Sequence, residues 1–184
     1  MLLPLLLGLL LTSQARAACS DPAAKASLDE DRLLGMWYTV KQPNIAGSSR
    51  NGAKCVHSVY SRAEDGHLTS LVAIYNISSP VYTSVRLHMH KAVAGSTDGK
   101  YDVHSEGEHG TRNGKLYVVD TDYDNYAVLW VCSQDTRREG TNEMYVLNTR
   151  QQHPSAELLE QANRALPAGD YRISHQTDCP AHEH

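Results

Sequence analysis

The chain contains no phenylalanine. Ten tyrosines and two tryptophans carry its aromatic content, so an aromatic wall built from them brings hydroxyls that need partners. Cysteine is sparse, and none of the four forms a C-x-x-C pair. That leaves dithiol redox catalysis and a thiolate zinc knuckle without their ligands. There is no G-x-S-x-G and no nucleophile–base pattern, so an enzyme reading has nothing to rest on. Positive charge is also short: 17 Lys and Arg stand against 21 Asp and Glu, a net charge of −4. With no basic patch interleaved with aromatics, a nucleic-acid partner is excluded and membrane-surface binding has no support. Beyond the first residues no apolar run approaches a membrane span, which excludes a transmembrane segment. Internal repeats, low-complexity stretches and linkers are missing too.

What is present begins with Met1-Leu2-Leu3-Pro4 and a leucine-rich run to Leu11, then Ala15-Arg16-Ala17. The run is too short to span a bilayer as a helix, and the last three residues form a small-x-small cleavage site. The spacing predicts a signal peptide over 1–17, although the basic leading segment is missing. It leaves one domain over 18–184, long enough for a sizeable core. Loss of Arg16 makes that domain one unit more acidic. Secretion turns Cys19, Cys55, Cys132 and Cys179 into a two-disulfide set, with three pairings open.

The remaining sequence reads as strands separated by turn residues. Strands fit Gly35–Lys41, Cys55–Arg62, His67–Ile77, Tyr82–Val93, Lys100–His104, Lys115–Thr121, Tyr126–Cys132 and Asn142–Thr149, with a short ninth at Tyr171–Ser174. Gln42 to Lys54 is a long polar loop rich in Pro, Asn, Gly and Ser. Glu64-Asp65-Gly66, Thr97-Asp98-Gly99 and Arg112-Asn113-Gly114 are hairpin turn signals. Ser155–Leu166 reads as a helix capped by Ser155, with Leu158, Leu159, Ala162 and Leu166 as its apolar stripe. Eight antiparallel strands hide their edges by closing or by stacking. A β-sandwich is the alternative; the late helix and the long first loop favour an all-β, eight-stranded up-and-down barrel with one C-terminal helix outside, roomy enough for one small ligand.

Three motifs stand in order along this framework. Gly35-Met36-Trp37-Tyr38 opens the first strand, Thr121-Asp122-Tyr123-Asp124-Asn125-Tyr126 joins two later strands, and Arg150 follows the last strong one. Together they resemble the three motifs of the lipocalin family, closest to the branch with apolipoprotein D, the bilin-binding lipocalins and the crustacyanins. The resemblance covers nearly all of 18–184. It implies that Gly35, Trp37, Thr121, Asp122, Tyr123 and Arg150 are structural, with Arg150 lying over the Trp37 indole at the closed end. It also implies the pairings Cys19–Cys132 and Cys55–Cys179. The family's rare enzymes include one with a free cysteine in the barrel, and here the disulfides claim all four. The implied function is a carrier of a lipid, steroid or retinoid-like molecule. A pigment carrier, with bound bilin or carotenoid as cofactor, is the alternative, and an extracellular protein-interaction scaffold is the reading from another class. No other cofactor is implied, and a homo-oligomer stays open.

Period-two alternation selects the side chains that would hold the ligand. Val85, Leu87 and Met89 form the apolar face of their strand, opposite Arg86, His88 and His90. Tyr101 and Val103 face inward, with Asp102 and His104 outward. Leu116 is inward on its strand, and the bulkier set Tyr126, Val128 and Trp130 is the inward choice on the next. Asn76-Ile77-Ser78 is an N-glycosylation sequon; an outward Asn76 puts Leu71, Ala73 and Tyr75 inside. Tyr60 matches an aromatic that lines the pocket in the apolipoprotein D branch, and it shares a face with Val56 and Ser58. The facing of 142–149 stays open between Tyr145 and Leu147 on one side and Met144, Val146 and Asn148 on the other. Among ten histidines the only local pair is His88/His90, and alternation puts it on the wet face, so no metal is expected there. His104 is the less secure outward assignment, since bilin-binding relatives place polar ligand contacts in that region. Asp120, Asp122 and Asp124 resemble a calcium cluster but fall largely in the structural loop.

Overall fold

A computed structural model describes residues 19–44, 53–106, 112–134 and 141–182. The expected signal segment, His109 and His184 lie outside them. Alternating stretches punctuated by turn residues form nine strands: β1 (Gly35–Pro43), β2 (Ala53–Arg62), β3 (Leu68–Asn76), β4 (Val81–Lys91), β5 (Lys100–Glu106), β6 (Arg112–Thr121), β7 (Tyr126–Gln134), β8 (Thr141–Thr149) and β9 (Tyr171–Ile173). Arg112, Asn113 and Gly114 belong to β6 rather than to a turn, because they pair with Ser105, His104 and Val103. A short helix α1 (Glu30–Leu33) precedes β1, and α2 (Ala156–Asn163) follows β8. Ser155 caps α2 by accepting from the Leu158 amide, which leaves one orphan donor fewer at that end.

Strands β2 to β8 pair in chain order, and β1 closes the barrel by pairing with both β8 and β2. Closure removes the exposed edges that an open eight-stranded sheet would present. Gly35 to Tyr38 pair with Tyr60 to His57 of β2, while Tyr38 to Lys41 pair with β8 across a bulge. Beyond Tyr38, β1 and β2 part. The C-terminal segment fills that seam: β9 pairs with Lys41–Pro43, the Ser174 amide donates to Val40 O, and the Cys55 amide donates to His175 O. Buried Gln176 spans the gap, its Nε2 donating to Thr39 O and Val56 O at 2.8 Å each. The Cys55–Cys179 disulfide pins this segment, and Cys19–Cys132 pins the N-terminal segment to β7.

The apolar residues divide among three clusters. One fills the barrel between its walls and its α1 end, around Trp37, Met89, Tyr101 and Leu129. The second is outside, where Ala162 and Leu159 of α2 press on Val40, Val128 and Leu147. The third is also outside, where Cys19 and Ala24 lie on Tyr117, Trp130 and Cys132. One flank of the barrel wall is therefore buried on both faces. On the other flank, Arg86, His90, Asp102 and Glu106 of β4 and β5 are exposed.

Candidate functional site: a walled cavity

The barrel is closed at one end by Trp37, Arg150 and Glu30 with their hydrogen-bond partners. Trp37 is 1% exposed, and its Nε1 donates to Leu33 O at 2.8 Å. The Arg150 guanidinium lies 3.8 Å from the Trp37 ring centroid. Four of its five donors reach Tyr123 O at 3.0 Å, Leu34 O at 2.9 Å, Met36 O at 3.1 Å and Arg32 O at 2.6 Å. Gly35 sits at φ +93, and a Cβ there would lie 3.4 Å from Arg150 Nη1, so glycine grants both the turn and the close approach. Glu30 of α1 accepts from the Tyr101 hydroxyl at 2.7 Å and pairs with Lys91 and Arg62. Burial pushes the Glu30 carboxyl up, but the bonds from Tyr101, Lys91 and Arg62 outweigh it and hold it below the ordinary value.

The 121–126 loop is held by its own side chains. Thr121 Oγ1 donates to Tyr126 O at 2.6 Å and accepts from the Tyr123 amide. Asp122 accepts from the amides of Asn125 and Tyr126, which allows Tyr123 its left-handed φ of 69. Asp120 accepts from the Tyr126 hydroxyl, and Asp124 pairs with Arg32. All three carboxylates are thus engaged in the fold and do not converge as a calcium cluster.

Beyond this floor lies a cavity of about 290 Å³. Its wall takes Val56, Ser58 and Tyr60 from β2, Ser70, Val72 and Ile74 from β3, and Val85 and Leu87 from β4. Val103 of β5, Leu116 of β6, Leu129 and Val131 of β7, and Met144, Val146 and Asn148 of β8 complete the round. Thr39 and Gln42 enter from β1, and Arg112 stands at the rim, the only charged side chain among the described lining residues. Thr39 Oγ1 donates to Asn148 Oδ1 at 2.9 Å, so that pair is satisfied. Gln42 Nε2 is not: it is buried without a hydrogen-bond partner among the described residues, and buried Ser70 Oγ has only the Tyr60 hydroxyl beside it. Burial pushes the Tyr60 phenol up to about 12, with Ser70 opposing slightly, so it stays a neutral donor at neutral pH.

Of the side chains expected inside, Tyr60, Val85, Leu87, Val103 and Leu116 reach the cavity. Met89 and Tyr101 point into the barrel but belong to the packed floor. Two strands face the other way. On β3 the cavity receives Ser70, Val72 and Ile74, while Tyr75 is outside against Tyr82, and Leu71 and Ala73 share its face. Asn76 is exposed, as a sequon requires, but it ends its strand, where both faces are wet and the glycan constraint cannot fix the register. On β7 the cavity receives Leu129 and Val131, whereas Tyr126 and Val128 pack under α2 and Trp130 under the N-terminal segment. Bulk misleads there because the outer face is a second core. On β8, Met144, Val146 and Asn148 face in. The cavity wall is mostly aliphatic, and Tyr60 is its one tyrosine among the described residues.

Comparisons with known proteins fit this geometry. The profile of the lipocalin / cytosolic fatty-acid binding protein family matches residues 34–173. The Lazarillo protein of Schistocerca americana is 23% identical over 161 residues, which is 88% of this chain and 73% of that one. Among solved structures, insecticyanin from the tobacco hornworm Manduca sexta superposes with a TM-score of 0.65 at 14% identity, covering 89% of each chain. The tryptamine complex of the amine binding protein of Rhodnius prolixus gives 0.65 at 17% identity, covering 83% of this chain and 80% of that one.

Proposed function

Because this chain belongs to the lipocalin family, we propose that it is a secreted carrier which reversibly binds one small, mostly apolar molecule in its barrel. One observation carries the reading: an aliphatic cavity of about 290 Å³ into which the buried Gln42 Nε2 points without a partner among the described residues, beside the Ser70 and Tyr60 hydroxyls. An unmet buried donor costs about 1–3 kcal/mol, which a ligand atom or a trapped water offsets. Apolar burial then supplies affinity, and these groups choose the orientation. Gln42 Nε2 can only donate, so the ligand offers an acceptor such as a carbonyl, hydroxyl or carboxylate. Arg112 at the rim suits an anionic end. Amine cargo finds no counter-charge, since no carboxylate lines the cavity among the described residues. The volume lies at the lower edge of ordinary ligand pockets, which favours a retinoid, steroid or short lipid over an extended pigment. The packed floor and hollow interior favour a carrier over a scaffold. Secretion rests on the leader-like segment 1–17 and the two disulfides.

Native mass spectrometry of protein purified from its source, followed by organic extraction, should release one small amphiphile per chain. An absorption spectrum of the same sample tests the bilin or carotenoid reading, because either would absorb visible light. A fluorescent fatty acid should bind the wild type at one site. Leu87→Arg and Val131→Arg should abolish that binding while folded, because a charge in an apolar cavity has no partner. Full-affinity binding in both variants would move the ligand site out of the barrel.

A further inference from the structure

The bare flank of the barrel gathers four histidines that the sequence scatters. His88 and His104 are direct cross-strand partners on the outer face of β4 and β5. Their rings stack with centroids 4.7 Å apart and planes 7° from parallel. His90 stacks on His104 at 5.6 Å, and His67, just before β3, lies 5.2 Å from His88 and 4.5 Å from His90. Glu106 stands one residue pair further along β5, its Oε2 3.7 Å from His88 Nε2. One ligand atom each from His88, His104 and Glu106 lies within 4.8 Å of the other two.

Two details distinguish this group from a solvated histidine face. First, His88 Nε2 is buried and has no hydrogen-bond partner among the described residues, Glu106 Oε2 at 3.7 Å lying beyond hydrogen-bond reach. Second, the other edge of the ring is held in a relay. His88 Nδ1 is 2.9 Å from His67 Nε2, and His67 Nδ1 bonds the Asp65 carboxylate. An ionised carboxylate only accepts, so His67 Nδ1 carries a proton. When His67 is neutral it accepts at Nε2, His88 Nδ1–H donates, and the free lone pair of His88 falls on Nε2, the atom facing Glu106. This carboxylate–imidazole–imidazole arrangement orients a metal-binding histidine in the manner of outer-shell partners.

We propose that His88, His104 and Glu106 form a binding site on the outer wall for a divalent late transition-metal ion, with zinc as the working case. Two imidazoles and one carboxylate leave the fourth tetrahedral position to water. Bonds of about 2.0–2.2 Å need ligand atoms about 3.4 Å apart. His88 Nε2 and Glu106 Oε2, at 3.7 Å, already lie close to that spacing, and Glu106, whose side chain is 63% exposed, has room to close it; the stacked His88 and His104 rings must turn toward each other for both to reach one ion. Asp102 is outside the ligand set because it pairs with Lys115 at 2.9 Å. The barrel wall separates this site from the cavity: Leu87 and Val103 point in from the same two strands. Metal and cavity ligand can therefore be held together.

The test is calorimetric titration of the EDTA-stripped, tag-free protein with zinc chloride, with cobalt(II) absorption as the readout of ligand geometry. Wild type should take up one equivalent of zinc and give visible cobalt bands of a low-coordinate site. His88→Ala and Glu106→Gln should each weaken zinc at least tenfold and remove those bands. His67→Ala, which deletes no ligand, should weaken zinc by about 10–100-fold. Glu106→Gln is on the surface, so it keeps the test sound should His88→Ala unfold. Absence of saturable uptake would overturn the proposal. So would uptake undisturbed in Glu106→Gln and in a His88→Ala/His104→Ala double variant, which would place zinc elsewhere, such as on the C-terminal histidines.

Discussion

Arg150 is the residue on which the closed end converges, since it ties β1, α1 and the 121–126 loop through four carbonyls and one indole face. Removing it strips donors from several half-buried carbonyls and uncovers Trp37. Arg150→Ala should therefore lower unfolding free energy by about 2–4 kcal/mol in denaturant titrations. Ligand affinity of the folded fraction should hold, because Arg150 is not part of the cavity wall. Collapsed affinity with an unchanged midpoint would make Arg150 a binding residue. Tyrosine replaces phenylalanine with a purpose at several sites. The hydroxyls of Tyr101 and Tyr123 bond Glu30 and Asp29, far off in sequence, and that of Tyr126 bonds Asp120 across the β6–β7 hairpin. Neither tryptophan lines the cavity, so intrinsic fluorescence reports the floor and the outer wall rather than direct ligand contact.

Strands, turns and the capped helix were legible because alternation and turn chemistry are local. Facing was legible only where one side of a strand is wet. Strand β4, with Arg86 and His90 exposed, reads correctly from its apolar face. Strand β3 was recoverable by another route. Given Tyr60 inward and a turn at Glu64–Gly66, hairpin pairing sets Ser70 opposite Tyr60 and so on the same face. No such count works for β7, because the pairing with β6 slips between Val118 and Asp120, and a one-residue slip exchanges the two faces. The histidine group needed tertiary pairing of β3, β4 and β5, which no local pattern encodes. The C-terminal segment carries a prediction of its own. Gln176 donates to two carbonyls that face each other across the β1–β2 seam. Gln176→Leu should cost about 2–4 kcal/mol, whereas Gln176→Asn, too short to bridge both, should lose less if one bond re-forms. Equal stability of wild type and Gln176→Leu in urea melts would show that the seam is closed by the strand and disulfide alone.

The described residues form a barrel closed at one end with two tethered chain segments, each disulfide joining residues more than a hundred positions apart: 113 for Cys19–Cys132 and 124 for Cys55–Cys179. Such links stabilise by about 4–5 kcal/mol each through lost freedom of the unfolded chain. The filled seam has a consequence in time. Strand β1 emerges early in synthesis, yet its far half has no complete partner set until β8 pairs with it and residues 171–176 arrive. The barrel can be sealed only after almost the entire chain exists, which makes closure a late and non-local event, slow by the standards of small helical proteins. With both disulfides intact, most of that search is already done, and refolding from urea should be markedly faster than from the reduced chain in stopped-flow traces. Equal rates would mean that the strands find their order without help from the tethers. Until β8 has joined β1, the nascent barrel is an open sheet with an unguarded edge, and this interval, rather than the finished fold, is when the molecule is most exposed to pairing with its neighbours.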